Sequence, residues 1–204
     1  MKGSRVVLMA VLLGAMLVLP AASRGDDDAA SAGDDHCGPQ LQEWSLRFAG
    51  GVNPENVIQY YALHADLGFR LWQSADRWFT AHDMTARWVV EPWTAYVVDH
   101  HGIHQTSSFE IGVSPLFGKL TFTDWRLRPF IEGGEGLVYT DLRKQRLGTR
   151  VQFASTAGFG LEYEIRPDLS LSFAIRIRHI SNAGLASTNP GITTYMGLVG
   201  LTFR

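Results

Sequence analysis

Two side chains near the end of the chain have the types and the spacing that nucleophilic chemistry requires. They are His179 and Ser181, within the stretch 169–192, which reads LSLSFAIRIRHISNAGLASTNPGI. Residues two apart on a strand point to the same face, so the imidazole can form a hydrogen bond with the hydroxyl. A base in that position activates serine as a nucleophile. Because a serine two residues from a histidine is common by chance, the surroundings decide whether the pair is catalytic.

The segment before this pair predicts a β-strand with two different faces. Positions 169, 171, 173, 175 and 177 are all Leu, Phe or Ile, while the positions between them include Arg176 and Arg178. This period of two is typical of a strand. His179 and Ser181 continue the apolar row. In a soluble sandwich that row would form the core, whereas in a membrane barrel it would face lipid.

The remainder of the chain after residue 42 shows the same strand pattern, with no sustained helical period. Seven further strands are predicted at about 44–48, 57–70, 84–93, 109–117, 128–139, 151–163 and 192–203. Several exceed the roughly 5 or 6 residues of a typical soluble strand and reach the roughly 9 to 11 that a membrane-spanning strand needs. Strand length therefore favours a membrane barrel.

The polar faces also fit a narrow barrel, whose lumen must contain side chains that pair with one another. The charges predicted to point inward nearly balance, and they come from Arg47, Arg70, Arg87, Arg176, Arg178, Asp66, Glu91, Glu110, Glu132 and Glu162, accompanied by His64. A soluble sandwich would expose the same charges, so alternation alone leaves both folds open.

Aromatic residues favour the barrel, because most lie near strand ends, as interfacial girdles do. They are Trp44, Tyr61, Trp72, Trp78, Trp88, Trp93, Trp125, Tyr139 and Tyr163. The last strand ends in Phe203, which resembles the C-terminal signature of bacterial outer-membrane barrels, although Arg204 follows it. The sequence therefore predicts an all-β fold, a closed antiparallel eight-stranded transmembrane β-barrel of the outer membrane.

The first 42 residues predict export. Residues 1–23 have the basic start, short apolar run and small-residue end of a signal peptide, and the apolar run is shorter than the roughly 20 residues of a spanning helix. An uncleaved anchor helix is the weaker alternative. Residues 24–42 read as an acidic disordered leader, so the barrel comprises 43–204. The single cysteine, Cys37, allows no internal disulfide but leaves a disulfide-linked homodimer open.

Composition excludes several functions. The net charge of −2, without a basic cluster, argues against nucleic-acid binding. Asp99, His100, His101 and His104 look like a metal cluster, but we expect them in a loop without ligand spacing. The GGEG sequence at 133–136 is not a phosphate loop, because no helix follows it. No cofactor is predicted.

The segment HISNAG at 179–184, followed by NPG at 189–191, resembles the His-x-Ser-Asn-Ala…Asn-x-Gly segment of the lipid A 3-O-deacylase (PagL) family. The resemblance implies an outer-membrane serine esterase with a lipid-facing site, whose substrate is lipid A or lipopolysaccharide and whose surroundings are outer-membrane lipids. It implies that Ser181 is the nucleophile, His179 the general base and Asn189 the oxyanion donor. Asn182 and the backbone near Gly184 are candidates to assist.

Thr193 departs from the family pattern, because the position corresponds to a glutamate in the triad. On the predicted register it faces outward and can contact His179, but a hydroxyl cannot stabilise an imidazolium as a carboxylate does. Glu135 is the one carboxylate predicted to face outward, but its strand does not neighbour the eighth, so we do not assign it a role.

Two classes of function follow. The first is an esterase that removes the 3-position acyl chain of lipid A, with His179, Ser181, Asn189 and Thr193 as its site. The alternative is a catalytically impaired or non-catalytic barrel of the same family, with a structural or adhesive role. A porin is a distant third, because side chains fill the lumen of an eight-stranded barrel.

Overall fold

The computed structural model describes residues 39–55, 57–101, 104–142, 147–186 and 189–204, except for the side chains of His101 and His104. The predicted signal peptide, the leader as far as residue 38 and Cys37 lie outside the described residues.

Eight antiparallel strands form a closed barrel in which each strand pairs with its neighbours in the sequence and β1 pairs with β8. The strands are β1 (Leu41–Val52), β2 (Ile58–Arg70), β3 (Met84–His101), β4 (His104–Phe122), β5 (Leu127–Thr140), β6 (Val151–Arg166), β7 (Leu169–Ser181) and β8 (Ile192–Phe203). Closure gives every strand a hydrogen-bonded partner on both sides, which lipid requires of a spanning sheet. The predicted fold class is confirmed, and the sandwich is excluded.

Two strands are longer than predicted. β3 and β4 have 18 and 19 residues and pair as far as His101 with His104. The prediction that His100, His101 and His104 lie in a loop is therefore wrong, because the alternating pattern gives no signal for where a strand ends beyond the membrane. β1 begins at Leu41, two residues before the predicted barrel boundary of 43.

One helix, α1 (Gln73–Thr80), connects β2 to β3. Arg87 of β3 donates a hydrogen bond to Asp76 of α1 at 2.9 Å, which ties the helix to the end of the barrel. The sequence pattern did not predict it, because eight residues give only about two turns of periodicity. In the described part of the chain, no helix combines the length and the hydropathy needed to span a membrane.

The lumen is filled by ion pairs. Arg47 contacts Asp66 at 2.6 Å and Glu132 at 3.0 Å, and Arg176 contacts Glu91 at 2.7 Å and Glu132 at 2.5 Å. Further pairs join Arg178 to Glu110 and Lys119 to Glu43 and Glu162. These carboxylates and cations are buried, as the sequence predicted, although it did not single out Lys119 and Glu43. A carboxylate near each guanidinium offsets the desolvation that burial imposes on both.

The outer wall is apolar. Phe173, Ile175 and Ile177 of β7 are between 42 and 57% exposed, while Arg176 and Arg178 are at most 3% exposed. An apolar outside around an ionic inside is the arrangement of a transmembrane barrel. One aromatic residue, Trp93, does not belong to the predicted girdle. It is only 5% exposed and faces the lumen, because it lies two residues from Glu91 on β3 and therefore points to the same side.

We expect Arg176→Ala to destabilise the barrel by about 3 to 5 kcal/mol, because Glu91 and Glu132 would lose a buried partner. Urea unfolding in lipid vesicles measures the loss. The matched control is Arg166→Ala, since Arg166 and Asp168 pair at 3.0 Å with side chains 59 and 60% exposed. That change should cost less than about 1 kcal/mol. Equal losses in the two variants would contradict a structural role for the lumen pairs.

Candidate functional site

His179 contacts Thr193 on the outer wall. The two residues are direct cross-strand partners in β7 and β8, and His179 Nδ1 lies 3.0 Å from Thr193 Oγ1 in a hydrogen bond. In the neutral tautomer that carries its proton on Nδ1, the imidazole donates to the threonine hydroxyl and Nε2 is left unprotonated. The contact is compatible with a tautomer in which Nε2 can accept a proton.

Ser181 lies on the same outer face as His179, two residues further along β7, and is half-buried. Among the described residues, no hydrogen bond joins its hydroxyl to the imidazole. The register pairs His179 with Thr193 and Ile180 with Ile192, so Ser181 lies just beyond the last paired residues of β7 and β8. The nucleophile candidate and the base candidate therefore share one short section of wall.

Gly191 provides the space that the imidazole occupies. A Cβ atom at this position would lie 2.6 Å from Cε1 and 2.8 Å from Nε2 of His179. Its φ of +66° is also in the region that favours glycine. The Cε1–Nε2 edge of the imidazole therefore packs closely against Gly191. Sequence reasoning placed Gly191 in the motif but gave it no role.

Asn189 lies in the loop between β7 and β8, and its side chain is oriented by the backbone. The N–H of Asn182 donates to Asn189 Oδ1 at 2.9 Å. Since that bond occupies the amide oxygen, it orients the Asn189 side chain so that its Nδ2 is the end left to donate. The arrangement suits a neutral donor to a developing negative charge.

The expected assistance from Asn182 and Gly184 does not fit the structure. Asn182 is fully buried, its Nδ2 donates to the carbonyl of Leu147, and its Oδ1 accepts from the N–H of Gly184. These groups hold the loop after Ser181 to the connection between β5 and β6. Asn182 and the Gly184 N–H therefore position the loop and are not free to contact a reacting group.

A second polar pair lies on the other side of His179. Ser155 of β6 is the cross-strand partner of His179, and Glu135 of β5 is the partner of Ser155. Ser155 Oγ donates to Glu135 Oε2 at 2.7 Å. The sequence placed Glu135 outward, which the structure confirms, but the link through Ser155 depends on strand register.

An apolar groove of about 550 Å³ lies on the outer wall, on the side of His179 away from the loop. Gly50 and Gly197 form its floor, since a Cβ at either would meet nothing within 4 Å. Apolar side chains border it, among them Phe48, Phe159, Phe173, Ile175 and Val199. Its centre is two outward positions, or about 13 Å, along β7 from His179.

In the part of the chain that the structure describes, no group of three or more His, Cys, Asp or Glu side chains has the geometry of a metal site.

Comparison with known proteins points to one family. The family described as lipid A 3-O-deacylase (PagL) matches residues 59–202. The lipid A deacylase PagL of Pseudomonas aeruginosa is 31% identical over 107 residues, which is 50% of this chain and 59% of that protein. The aligned part thus spans less than two thirds of that relative.

Two solved structures share the fold. The crystal structure of the outer membrane enzyme PagL has a TM-score of 0.61 and 22% identity, over 76% of this chain and 97% of that one. Neisserial surface protein A has a TM-score of 0.51 and 12% identity, over 79% of this chain and 94% of that one. At these identities the likeness shows the barrel and not its chemistry.

We expect Gly191→Ala to displace the imidazole of His179 and to slow labelling of Ser181 by an alkyl fluorophosphonate at least about tenfold, because a misplaced base activates serine poorly. The matched control is Gly184→Ala. Its φ of +82° imposes a comparable backbone strain, but its Cβ would contact nothing within 4 Å. Equal labelling rates in the two variants would show that Gly191 does not position the base.

Proposed function

The chain belongs to the lipid A 3-O-deacylase (PagL) family and is an outer-membrane β-barrel, and from this premise we propose that it hydrolyses the acyl ester at the 3 position of lipid A. The observation that carries the proposal is the outward placement of His179 beside Ser181, with the imidazole held by Thr193. Polar side chains on a largely apolar wall require a functional reason.

The proposed site lies at the end of the barrel opposite Leu41 and Phe203, where the first strand begins and the last strand ends. The connections at the site's end include 141–150 and 182–191, whereas those at the other end include 71–83, which contains α1, and the short connection 167–168. Loop length therefore does not orient the barrel. We place the site's end in the outer leaflet because that leaflet contains lipopolysaccharide.

Ser181 acts as the nucleophile and His179 as the general base in the proposed reaction. Since the two make no hydrogen bond in this structure, small side-chain rotations bring Oγ to Nε2 when an ester binds. Ser181 Oγ attacks the ester carbonyl carbon while Nε2 takes its proton. The imidazolium then returns the proton to the departing sugar oxygen, and water hydrolyses the acyl-serine with the same base.

Asn189 donates to the oxyanion that forms during both steps. Its Oδ1 is held by the N–H of Asn182 at 2.9 Å, so its Nδ2 is pre-oriented. A donor that needs no reorientation stabilises developing charge more effectively than water does. The apolar groove floored by Gly50 and Gly197 supports the choice of substrate, because it offers a place along the membrane normal for the acyl chain.

A catalytically impaired barrel of the same family is the second candidate. Thr193 supports it, because the threonine hydroxyl orients the imidazole but brings no negative charge. The two candidates differ in whether lipid A changes in cells that contain the protein.

We expect Ser181→Ala and His179→Ala each to reduce deacylation by at least about a thousandfold, because each removes one half of the nucleophilic pair. Mass spectrometry of lipid A from cells that express each variant measures loss of the 3-position chain. The control is Ser172→Ala on the same strand, whose hydroxyl is buried in the lumen. Unchanged lipid A in cells with the parent protein would favour the impaired barrel.

We expect Thr193→Glu to raise turnover about tenfold, because a carboxylate in contact with the imidazole stabilises the imidazolium formed as Ser181 attacks. Turnover is measured on purified lipid A with the refolded protein. Thr193→Gln is the isosteric neutral control and should gain nothing. A folded Thr193→Glu barrel no faster than the parent would mean that the missing acid does not limit the reaction.

A further inference from the structure

We propose that Glu135 supplies, from two strands away, the negative charge that Thr193 cannot give to His179. The two duties of a triad acid would then be divided: Thr193 orients the imidazole, and Glu135 stabilises its charged form. The inference rests on the proposed function, because it requires His179 to become protonated during catalysis.

The position of Glu135 needs an explanation. Among the carboxylates of the described strand residues, it is the one exposed on the outer wall, whereas the lumen carboxylates are buried against cations. A charge on a lipid-facing surface is unfavourable, and such residues are a mark of function. No cation among the described residues pairs with Glu135. Its hydrogen-bond partner is the neutral Ser155.

The strand register connects Glu135 to His179. Glu135, Ser155, His179 and Thr193 are successive cross-strand partners in β5, β6, β7 and β8, so they form one polar row on the outer face. Neighbouring strands are about 4.8 Å apart, which puts the backbone of Glu135 about 10 Å from that of His179. The 2.7 Å bond from Ser155 draws the carboxylate along the row towards the histidine.

In the step that Glu135 would assist, Ser181 Oγ loses its proton to Nε2 of His179 as the bond from oxygen to the carbonyl carbon forms. The imidazolium appears at that moment, and negative charge moves onto the carbonyl oxygen. Glu135 exchanges no proton in this step. At the edge of a low-dielectric membrane, a charge within about 10 Å still lowers the energy of the cation appreciably.

Apart from Glu135, the described residues around His179 on the outer wall offer no negative charge. On β8 the flanking residues are Thr193 and Tyr195, just before β8 lies Gly191, and on β6 they are Ser155 and Phe153, none of them a carboxylate. Arg176 and Arg178 of β7 face the lumen, where Glu91, Glu132 and Glu110 pair with them. Among the described residues, the imidazolium would therefore have one outward carboxylate within reach.

A double-mutant cycle tests the division of duties. Labelling of Ser181 by an alkyl fluorophosphonate and kcat on lipid A are measured for the full-length refolded protein, Glu135→Gln, Thr193→Glu and the double variant. Glu135→Gln should lower the labelling rate and kcat about tenfold with little change in KM. In the Thr193→Glu background the same change should cost less than about twofold, because a carboxylate then contacts the imidazole directly.

The control is Asp168→Asn, which removes an exposed carboxylate at the other end of β7 and should leave both rates unchanged. Equal losses from Glu135→Gln in the two backgrounds, or a loss confined to KM, would overturn the inference and indicate that Glu135 contacts substrate instead. Labelling that depends on Glu135 without cleavage of lipid A would refute the proposed substrate but support the division of duties. A parent protein that is not labelled at all would overturn both proposals.

Discussion

The ion pairs in the lumen determine which side of each strand faces outward. If Arg176 left Glu91 and Glu132, its own charge would enter an apolar environment and both carboxylates would lose one of their two guanidinium partners. One face of β7 is therefore fixed towards the lumen. Because side chains alternate, the same constraint directs His179 and Ser181 to the opposite face. A shift of the β7 register by one residue would exchange the two rows. The location of the candidate site is thus a consequence of electrostatics inside the barrel.

The sequence predicted the features that depend on alternation along one strand. The barrel, the inward arginines, the outward row from Leu169 to Ile177 and the outward position of Glu135 all follow from a period of two and from charge balance. Trp93 is two residues from Glu91, so alternation also predicts that it faces the lumen. The assignment of Trp93 to the aromatic girdle overlooked this. These features need no knowledge of which residues are neighbours in space.

The contact between Thr193 and His179 was predicted and is confirmed, but the other features that depend on pairing between strands were not accessible. The link from Glu135 through Ser155 to His179 depends on the register of two pairs of strands, and bulges in β1, β3, β4 and β6 shift the registers elsewhere in the sheet. The role of Gly191 depends on where the imidazole lies. The use of Asn182 as a buried support of the loop, with its amide bonded to Leu147, depends on a contact between two loops. Such contacts are set by tertiary structure, which alternation does not encode.

The outward position of His179, Ser181 and the groove also determines how a substrate reaches them. For the proposed lipid substrate, encounters would occur by lateral diffusion within one leaflet. The relevant substrate concentration is then a mole fraction in the plane of the membrane. Dilution of the target lipid by other lipids would slow the reaction even when the total amount of target is constant. Neighbouring lipids that pack against Phe173, Ile175 and Tyr195 would compete with the target lipid for this surface. The reaction rate would therefore also depend on the physical state of the leaflet.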